Sequence, residues 1–529
     1  MTAHADIRIG YKGHERYWVW ACSLVIIALS CLPYLIAWVA TPVGYQFTGL
    51  LVNPLDGHSY LAKMRQGWEG AWLFHLSYTP EPHAGAAIFL FYLALGHIAR
   101  WTGLSLIAVY HATRVVAGLA LLGAIYAFVG RLTPGRAEQQ RLFLMAASSA
   151  GLGWLGVMMG LFPIDLWVPE AFAFFSMLAN PHFPLAIALM LLLLQSVLWP
   201  MSGMRSWLLP GLAGMVLAIL APFALPVLYV VLVVHLLLQI GLRRPPNTGV
   251  NSHTPLRGAW VAVLSAMVAS LPWLAYDAFV YTTNPALVAW SQQNVTPTPA
   301  PADLVLGFGF LVPLAVVGMW IALRRRDYPG LMLVVWSGIT LALIYAPIAL
   351  QRRLLTGLGV ALAMLAGIGL SHLPRSITPL AVAFGWLGIA FQIFVLTAGA
   401  LGAAQGQEQA AALYISTDEA AAMHWLLAHG EDAVVLAAPR TGNVLPGQAG
   451  VRSFYGHPFE TIDATTKAAY AEAFFRGEMS EETWHMLRER YAIRFVFVGP
   501  QERQLGAQHL PDGLVPIFQQ GAVTVYRVP

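Results

Sequence analysis

Between its first two long apolar runs the chain carries a polar stretch, NPLDGHSYLAKMR at residues 53–65, which continues to YTPEPH at residues 78–83. Charged groups beside a lipid bilayer are costly, and they usually serve a function. Asp56, Tyr60 and Lys63 are spaced i, i+4, i+7, which puts a carboxylate, a phenol and an ammonium group on one face of a helix. A carboxylate can take a proton from a nucleophile and a cation can hold a phosphate, although a solvated loop at a membrane would carry similar charges.

The composition indicates a polytopic membrane protein. Of 529 residues, 58% are hydrophobic and only 10% are charged, and the mean hydropathy is +0.64. A soluble protein has roughly 25% charged residues. The net charge of +4 is small and localised, which excludes nucleic acid as a partner.

Apolar runs of the length that crosses a bilayer fill the first 404 residues. They lie near residues 18–40, 107–130, 142–162, 183–199, 208–222, 223–242, 258–277, 304–323, 330–348, 354–373 and 376–401. The sequence therefore predicts a transmembrane domain at residues 1–404 with about eleven membrane-spanning helices.

The distribution of basic residues predicts the orientation, because cytoplasmic loops carry an excess of Lys and Arg. With the N-terminus in the cytoplasm, 14 basic residues face inward and 6 face outward before residue 405. The inward set is Arg8, Lys12, Arg16, Arg131, Arg136, Arg141, Arg205, Arg243, Arg244, Arg257, Arg324, Arg325, Arg326 and Arg375, and the outward set is Lys63, Arg65, Arg100, Arg114, Arg352 and Arg353. We therefore expect a multi-pass protein of the plasma membrane with a cytoplasmic N-terminus and an extracytoplasmic C-terminus.

The first outer loop, residues 41–106, contains two segments that are too short or too polar to span the membrane. The run 86–100 ends in Arg100 and suits an amphipathic helix lying in the interface. Together with 57–70, it predicts two interfacial helices within this loop.

From residue 405 the composition becomes that of a soluble protein, and residues 405–529 predict a small extracytoplasmic α/β domain. Strands are expected at 433–437, 495–498 and 523–526, and helices at 417–429, 461–475 and 480–491, with Thr417 as the first cap. The polar segments 439–443 and 456–460 could line a site that faces the membrane domain, or they could be ordinary loop ends of the sheet.

This layout resembles the GT-C glycosyltransferases, and within them the RgtA/B/C/D-like, protein-mannosyltransferase and aminoarabinose-transferase group. These integral membrane enzymes use polyprenyl-phosphate-linked sugar donors. The likeness covers most of the chain as architecture, but only short motifs as residues. The first loop reads Asp56-Gly57 rather than the Asp-Glu pair of the mannosyltransferases, and residues 405–529 hold no Trp-Trp-Asp tripeptide of the oligosaccharyltransferases.

The resemblance assigns roles to individual residues. Asp56 matches the acid of the first outer loop, which acts as the base or orients the acceptor. Further acids that match family motifs are Glu81, in the segment 79–83, and Asp165 and Glu170, in the second outer loop. The basic residues expected to hold the lipid phosphate are Lys63, Arg114, Arg352 and Arg353, although the last two could instead be snorkelling residues at a helix end. Tyr60, His83 and His182 are expected to contact substrate, and His182 could equally be an ordinary capping or interface residue.

The predicted function is sugar transfer from a polyprenyl-phosphate-linked donor to a lipid, glycan or protein acceptor at the outer face of the bilayer. No cofactor is certain, and Glu81 with His83 is a weak candidate site for a divalent metal. Two other functions stay open. One is a transporter or flippase of the cell envelope, although the charges cluster at the outer boundary and not at the midplane. The other is a non-catalytic envelope assembly protein, which would not need Asp56 beside basic residues.

Overall fold

The structure is a computed structural model that describes residues 13–148, 150–242, 256–374, 376–406, 413–507 and 510–529. Five residues of the charge argument, Arg8, Lys12, Arg243, Arg244 and Arg375, lie outside the described residues.

Helices dominate the part of the chain before residue 405. They are α1 (Gly13–Val39), α2 (Pro54–Glu69), α3 (Leu90–Thr102), α4 (Leu106–Leu132), α5 (Arg136–Ala147), α6 (Gly153–Met158), α7 (Ala173–Leu178), α8 (His182–Leu198), α9 (Arg205–Leu220), α10 (Ala224–Gly241), α11 (Leu256–Thr283), α12 (Pro285–Gln293), α13 (Pro301–Phe308), α14 (Leu311–Arg325), α15 (Tyr328–Leu343), α16 (Leu358–Leu370) and α17 (Ile377–Ala404). Short 3-10 turns lie at Ile164–Leu166, Pro169–Ala171 and Gln351–Leu355.

Six helical segments in the described part of the chain are long and apolar enough to cross a membrane, and the bent pair α13 and α14, at 82° to each other, would make a seventh. Three shorter apolar helices, α8, α9 and α15, accompany them. The protein is therefore a multi-pass membrane protein, whereas the count of eleven spans stays a prediction.

The predicted run 142–162 is not one helix. α5 ends at Ala147 and α6 begins at Gly153. Between them the backbone amides of Gly151 and Gly153 donate to the Asp165 carboxylate, each at 3.0 Å, so these amides have a partner outside a helical ladder. A side-chain acceptor that competes for backbone donors in this way ends a helix.

The two helices expected in the first loop are present with shifted ends. α2 begins three residues early because Asn53 caps it and Pro54 occupies its first turn. α3 begins four residues late, after Phe89 in the left-handed region (φ 54°). The two helices pack backbone to backbone, since a β-carbon on Gly96 would collide with the Met64 carbonyl group.

The C-terminal unit, residues 413–529, is a five-stranded sheet flanked by helices. Its strands are β3 (Val434–Leu436), β4 (Arg452–Ser453), β5 (Ile493–Val498), β6 (Val515–Gln520) and β7 (Val523–Arg527), in the order β4-β3-β5-β7-β6. The first three are parallel, and β7 and β6 are antiparallel to their neighbours. Its helices are α18 (Thr417–His429), α19 (Pro439–Ala449), α20 (Ala464–Arg476), α21 (Glu481–Arg490) and α22 (Pro500–Leu505). One apolar cluster packs on each face of the sheet. The adjacent residues Val435 and Val434 point to opposite faces and belong to different clusters.

Two details of the predicted C-terminal domain are wrong. The helix cap is Ser416, which forms a reciprocal capping box with Glu419, and Thr417 is already the first helical residue. The polar segment 439–443 is not a loop but the first turns of α19, because Pro439 fits the first position of a helix.

A short strand pair joins the C-terminal unit to the first loop. β1 (Tyr45–Phe47) pairs antiparallel with β2 (Tyr414–Ser416). The Tyr414 hydroxyl group also donates to the carbonyl oxygen of Ala37, at the end of α1, over 2.9 Å. The C-terminal unit therefore lies against the same end of α1 as the first loop.

Candidate functional site

Asp56 lies in the first turn of α2, where the first loop meets the C-terminal unit. The Asn53 side-chain amide donates to its Oδ2 over 2.6 Å, and the Nε2 atom of His457 lies 3.1 Å from its Oδ1. The Asp56 side chain is still 39% exposed. Because a carboxylate offers about four acceptor sites, each oxygen keeps a lone pair for a further partner.

His457 reaches Asp56 from the loop that follows β4. This loop lies at the carboxyl end of the parallel strands, the usual place for a site in an α/β sheet. The imidazole is 2% exposed, and its Nδ1 accepts the backbone amides of Phe459 and Glu460 over 3.2 and 3.3 Å. Since Nδ1 is an acceptor, the ring proton of neutral His457 is on Nε2 and points at Asp56.

Lys63 lies two turns along α2 and forms a buried ion pair. Its Nζ is 2.9 Å from Glu460 Oε1, and both groups also contact the Ser59 hydroxyl group. The lysine is 1% exposed and lies 4.6 Å from the centre of the Phe89 ring. Burial raises the pKa of the Glu460 carboxyl group, but Lys63 and His457 nearby and the hydrogen bonds from Ser59 and Lys63 together more than offset this and lower the pKa. Lys63 is therefore neutralised and has no access to a ligand.

Two arginines follow each other in the turn Gln351–Leu355. The Nε atom of Arg352 is 3.6 Å from Oε1 of the buried Glu170, and its guanidinium group lies 5.2 Å from the Trp167 ring. The Arg353 guanidinium group lies 5.5 Å from the Phe223 ring. Within the described ranges, Arg353 has no side-chain hydrogen bond and no ion pair.

The charge of Arg353 nevertheless reaches Asp56. Burial alone would raise the pKa of the Asp56 carboxyl group, but His457, through its hydrogen bond and its electrostatic interaction, and then the positive charges of Arg353 and Lys63 together more than offset it and lower this pKa. Asp56 is thus an anion at neutral pH. Asp56 and Arg353 have opposite charges and lie within electrostatic range, yet they form no ion pair.

An aromatic cluster lies beside Asp56. Tyr60 stacks on Tyr92 with ring centres 4.4 Å apart, and the Tyr92 hydroxyl group is 2.6 Å from Nδ1 of His182. The Tyr60 and His182 rings are 5.2 Å apart. The structure therefore brings together Asp56, Tyr60 and His182, three residues expected at the site.

Glu81 and His83 lie elsewhere, and they do not form a metal site. Glu81 is ion-paired with the buried Lys467 of α20 and also contacts the Thr79 hydroxyl group. The two ring nitrogens of His83 are both used, by the Glu81 carbonyl oxygen and the Leu76 amide, each at 2.8 Å. The part of the chain that the structure describes contains no group of three or more His, Cys, Asp or Glu residues able to hold a metal ion.

Arg114 and Asp165 are also apart from Asp56. Arg114 is 2% exposed and joins three helices, because it donates to the carbonyl oxygens of Ser30 and Met177 and lies over the Tyr34 ring. Asp165 is buried against the amides of Gly151 and Gly153 described above. Both residues hold the fold together, and neither is open to a lipid phosphate or an acceptor.

Sequence reasoning named the segment 456–460 without identifying His457 or Glu460 as partners of α2, and it missed Asn53 and Lys467. The pair Asn53-Pro54 is a recognisable start of a helix, so a capping argument would have found Asn53. No local pattern indicates the other three, since Asp56 and His457 are 401 residues apart.

No protein-family model matches the chain, and no curated protein matches it in sequence. Solved structures do match. ArnT from Cupriavidus metallidurans bound to undecaprenyl phosphate has a TM-score of 0.54 at 13% identity, over 95% of this chain and 97% of that one. The apo state of the same protein gives 0.51 at 14% identity, over 96% and 98%.

A third match is the arabinofuranosyltransferase AftD from Mycobacteria, with a TM-score of 0.51 and 16% identity. It covers 97% of this chain but only 40% of AftD. ArnT and AftD are GT-C membrane glycosyltransferases. The protein has the GT-C fold. The predicted resemblance in architecture and the fold class are therefore confirmed: the chain is a helical membrane protein with the GT-C fold and a small C-terminal α/β unit.

Proposed function

We propose that this GT-C protein is a membrane glycosyltransferase that moves a sugar from a polyprenyl-phosphate-linked donor to a hydroxyl group of a lipid, glycan or protein acceptor. Asp56 is the base and Arg353 is the main contact to the lipid phosphate. The observation that carries the proposal is the pair described above, an exposed anion and an unpaired cation that do not touch. A gap of this kind fits a substrate that is negative where it meets Arg353 and carries a hydroxyl group where it meets Asp56.

The chemistry needs few groups. Asp56 removes the proton from the acceptor hydroxyl group as the acceptor oxygen bonds to the anomeric carbon of the sugar, and the bond from that carbon to the phosphate oxygen breaks. The departing lipid phosphate gains negative charge, which a guanidinium group stabilises. Tyr60 and His182 would line the sugar side of the gap.

The structure supports a smaller set of phosphate ligands than the four residues that the sequence indicates. Lys63 and Arg114 are buried and fully engaged with protein partners. Arg352 is 26% exposed and only loosely paired with Glu170, so it is the second candidate after Arg353. Undecaprenyl phosphate bound to ArnT is consistent with a ligand of this class.

The orientation stays part of the proposal. The first loop and the C-terminal unit lie on one side, joined by β1 and β2. The charge bias of the loops assigns this side to the outside of the cell, with the N-terminus in the cytoplasm. The division into residues 1–404 and 405–529 is proposed from the change to a soluble composition at residue 405.

The test is release of lipid phosphate. Purified protein in detergent is incubated with a panel of polyprenyl-phosphate sugars of different chain length and sugar, together with membrane extracts as a source of acceptor. Release that depends on acceptor and is lost in Asp56→Asn supports the proposal. No release from any donor, by protein that elutes as a folded species, would rule it out.

A further inference from the structure

We infer that His457 is a positioning residue for Asp56, and that the C-terminal unit therefore supplies part of the active site. His457 holds the Asp56 carboxylate as an oriented anion. The catalytic meaning of this inference rests on the proposed function, whereas the contact between the two residues does not.

Two hydrogen bonds from opposite sides fix the carboxylate. Asn53, on the loop before α2, holds Oδ2, and His457, from the C-terminal unit, holds Oδ1. With one donor on each oxygen the carboxylate cannot rotate without losing a charge-assisted hydrogen bond. Each oxygen keeps a further lone pair for an acceptor hydroxyl group, which can approach because the side chain is 39% exposed.

The imidazole is itself held rigidly. Its Nδ1 takes two backbone amides, and the Thr461 hydroxyl group accepts the amides of Gly456 and His457 over 3.4 and 3.2 Å. Gln293 of α12 donates to the carbonyl oxygens of Phe459 and Thr461 over 3.2 and 2.5 Å, which anchors the loop to the membrane domain. A ring fixed in this way transmits the position of the C-terminal unit directly to Asp56.

The same contacts exclude a proton relay. A relay would need Nδ1 to pass a proton onward, but Nδ1 accepts two backbone amides and the ring is 2% exposed. A proton that Asp56 takes from an acceptor must therefore leave through the exposed edge of Asp56 itself. His457 acts only as a donor.

Several other charged or titratable groups interact electrostatically with Asp56, so a test based on pH has to account for them. The groups whose charge or titration is coupled to Asp56 are Tyr60 and Lys63 on α2, Arg353 on the turn before α16, and Tyr78, Tyr92, Tyr110 and His182 around the aromatic cluster, with Glu460 reaching Tyr60 from the C-terminal loop. None of these groups is a side-chain donor to the carboxylate; among the described residues the side-chain donors are His457, on Oδ1, and Asn53, on Oδ2. Removal of His457 should therefore raise the pKa of Asp56 while the other groups stay in place.

The experiment compares His457→Leu with His457→Gln across the pH range of lipid phosphate release. Leucine removes the donor, so the acidic limb of kcat/KM should move up by about 1–2 pH units, with a ten- to hundredfold loss on that limb. Glutamine offers an amide donor near the position of Nε2 and does not titrate, so its limb should stay at the wild-type pH. Met486→Ala is the control in the C-terminal unit, because this side chain is 40% exposed and lies on α21, outside the loop that carries His457.

A limb that stays in place in His457→Leu would overturn the inference. The inference would also be overturned if His457→Gln were as impaired as His457→Leu. That result would mean that the imidazole transfers protons itself, since glutamine keeps the hydrogen-bond donor but cannot transfer a proton. Both readings differ from a folding defect, which lowers the amount of active protein at every pH and leaves the limb where it is.

A second measurement does not depend on activity. Thermal unfolding of Asp56→Ala, His457→Leu and the double variant forms a double-mutant cycle, and the double loss should be smaller than the sum of the single losses. Additive losses would overturn the contact. If the wild-type protein releases no lipid phosphate from any donor, the proposed function fails, and a non-additive cycle then leaves His457 as an interdomain contact with no positioning role.

Discussion

Two acidic residues of the first loop, Glu81 and Asp56, contact the C-terminal unit, and each has a different kind of partner there. Glu81 receives Lys467, a buried lysine that neutralises it and also donates to the Ile462 carbonyl oxygen over 2.8 Å. Asp56 receives His457, whose geometry is that of a neutral imidazole, and it keeps its charge. An acid that is given a buried cation becomes part of the structure, whereas an acid that is given a neutral donor stays available for a substrate.

The largest expected effect tests this contrast directly. Asp56→Asn keeps the shape of the side chain and removes its basicity, so lipid phosphate release should fall by about 10²–10⁴. Glu81→Gln should leave turnover of the folded protein near the wild-type value. Near-normal turnover in Asp56→Asn, measured on protein of wild-type elution profile, would remove Asp56 from the role of base.

Lys467→Met tests the structural side of the comparison. Breaking a buried ion pair by removing one partner lowers stability by roughly 3–5 kcal/mol, and we expect the low end because Glu81 is 28% exposed. Unfolding in detergent measures this loss, and turnover per folded molecule should not change. Arg476→Met is the control, since its pair with Glu472 lies on the surface and should contribute little.

Arginines provide a second contrast of the same kind. Arg353→Ala should weaken donor binding about ten- to a hundredfold through loss of a charge-assisted contact, and Arg353→Lys should recover only part of it, because lysine lacks the planar fork. Arg114→Lys should lower stability and leave donor affinity unchanged, since Arg114 is buried among carbonyl groups. Equal donor affinity in wild type and Arg353→Ala would exclude Arg353 as the phosphate ligand.

The smallest effect on activity is expected at Asp165. Burial raises its pKa to about 7, although the amides of Gly153 and Gly151 donate to it. An unfolded Asp has a pKa of about 3.9, so between these values the folded protein holds a proton that the unfolded chain has lost, and stability falls as pH rises from about 4 to 7. Asp165→Asn should flatten this dependence in unfolding measured from pH 5 to 8, with unchanged turnover. Asp512→Asn, at an exposed acid, should leave the slope as it is.

The sequence predicted the class of the fold because hydropathy and helix periodicity are local. The helix that carries Asp56 and Tyr60 follows from their spacing, and the strands near Val434, Phe495 and Val525 follow from short apolar runs. The roles of the basic residues were harder to predict. Lys63 lies on the same face of α2 as Asp56, yet it is ion-paired with Glu460, which is 397 residues away in the chain.

Burial of a charged side chain depends on partners that no local pattern reveals. Arg114 lies in the apolar helix α4 and resembles a residue at the membrane boundary, but it turns inward because two other helices, α1 and α7, offer it carbonyl and ring partners. Glu81 and His83 are close in sequence, as a metal site would require, and each is already committed to another group. Only the tertiary structure shows which charged side chains are already paired within the protein.

The strand pair of β1 with β2 has a consequence for synthesis. Tyr45–Phe47 leaves the ribosome long before Tyr414–Ser416, and Asp56 is made 401 residues before His457. At about 5–20 residues per second, the first loop waits roughly 20–80 s for the strand and the imidazole that complete it. A newly inserted chain therefore carries the proposed base before His457 exists to orient it, and on this proposal it would begin to turn over only after the C-terminal unit has been translated and docked.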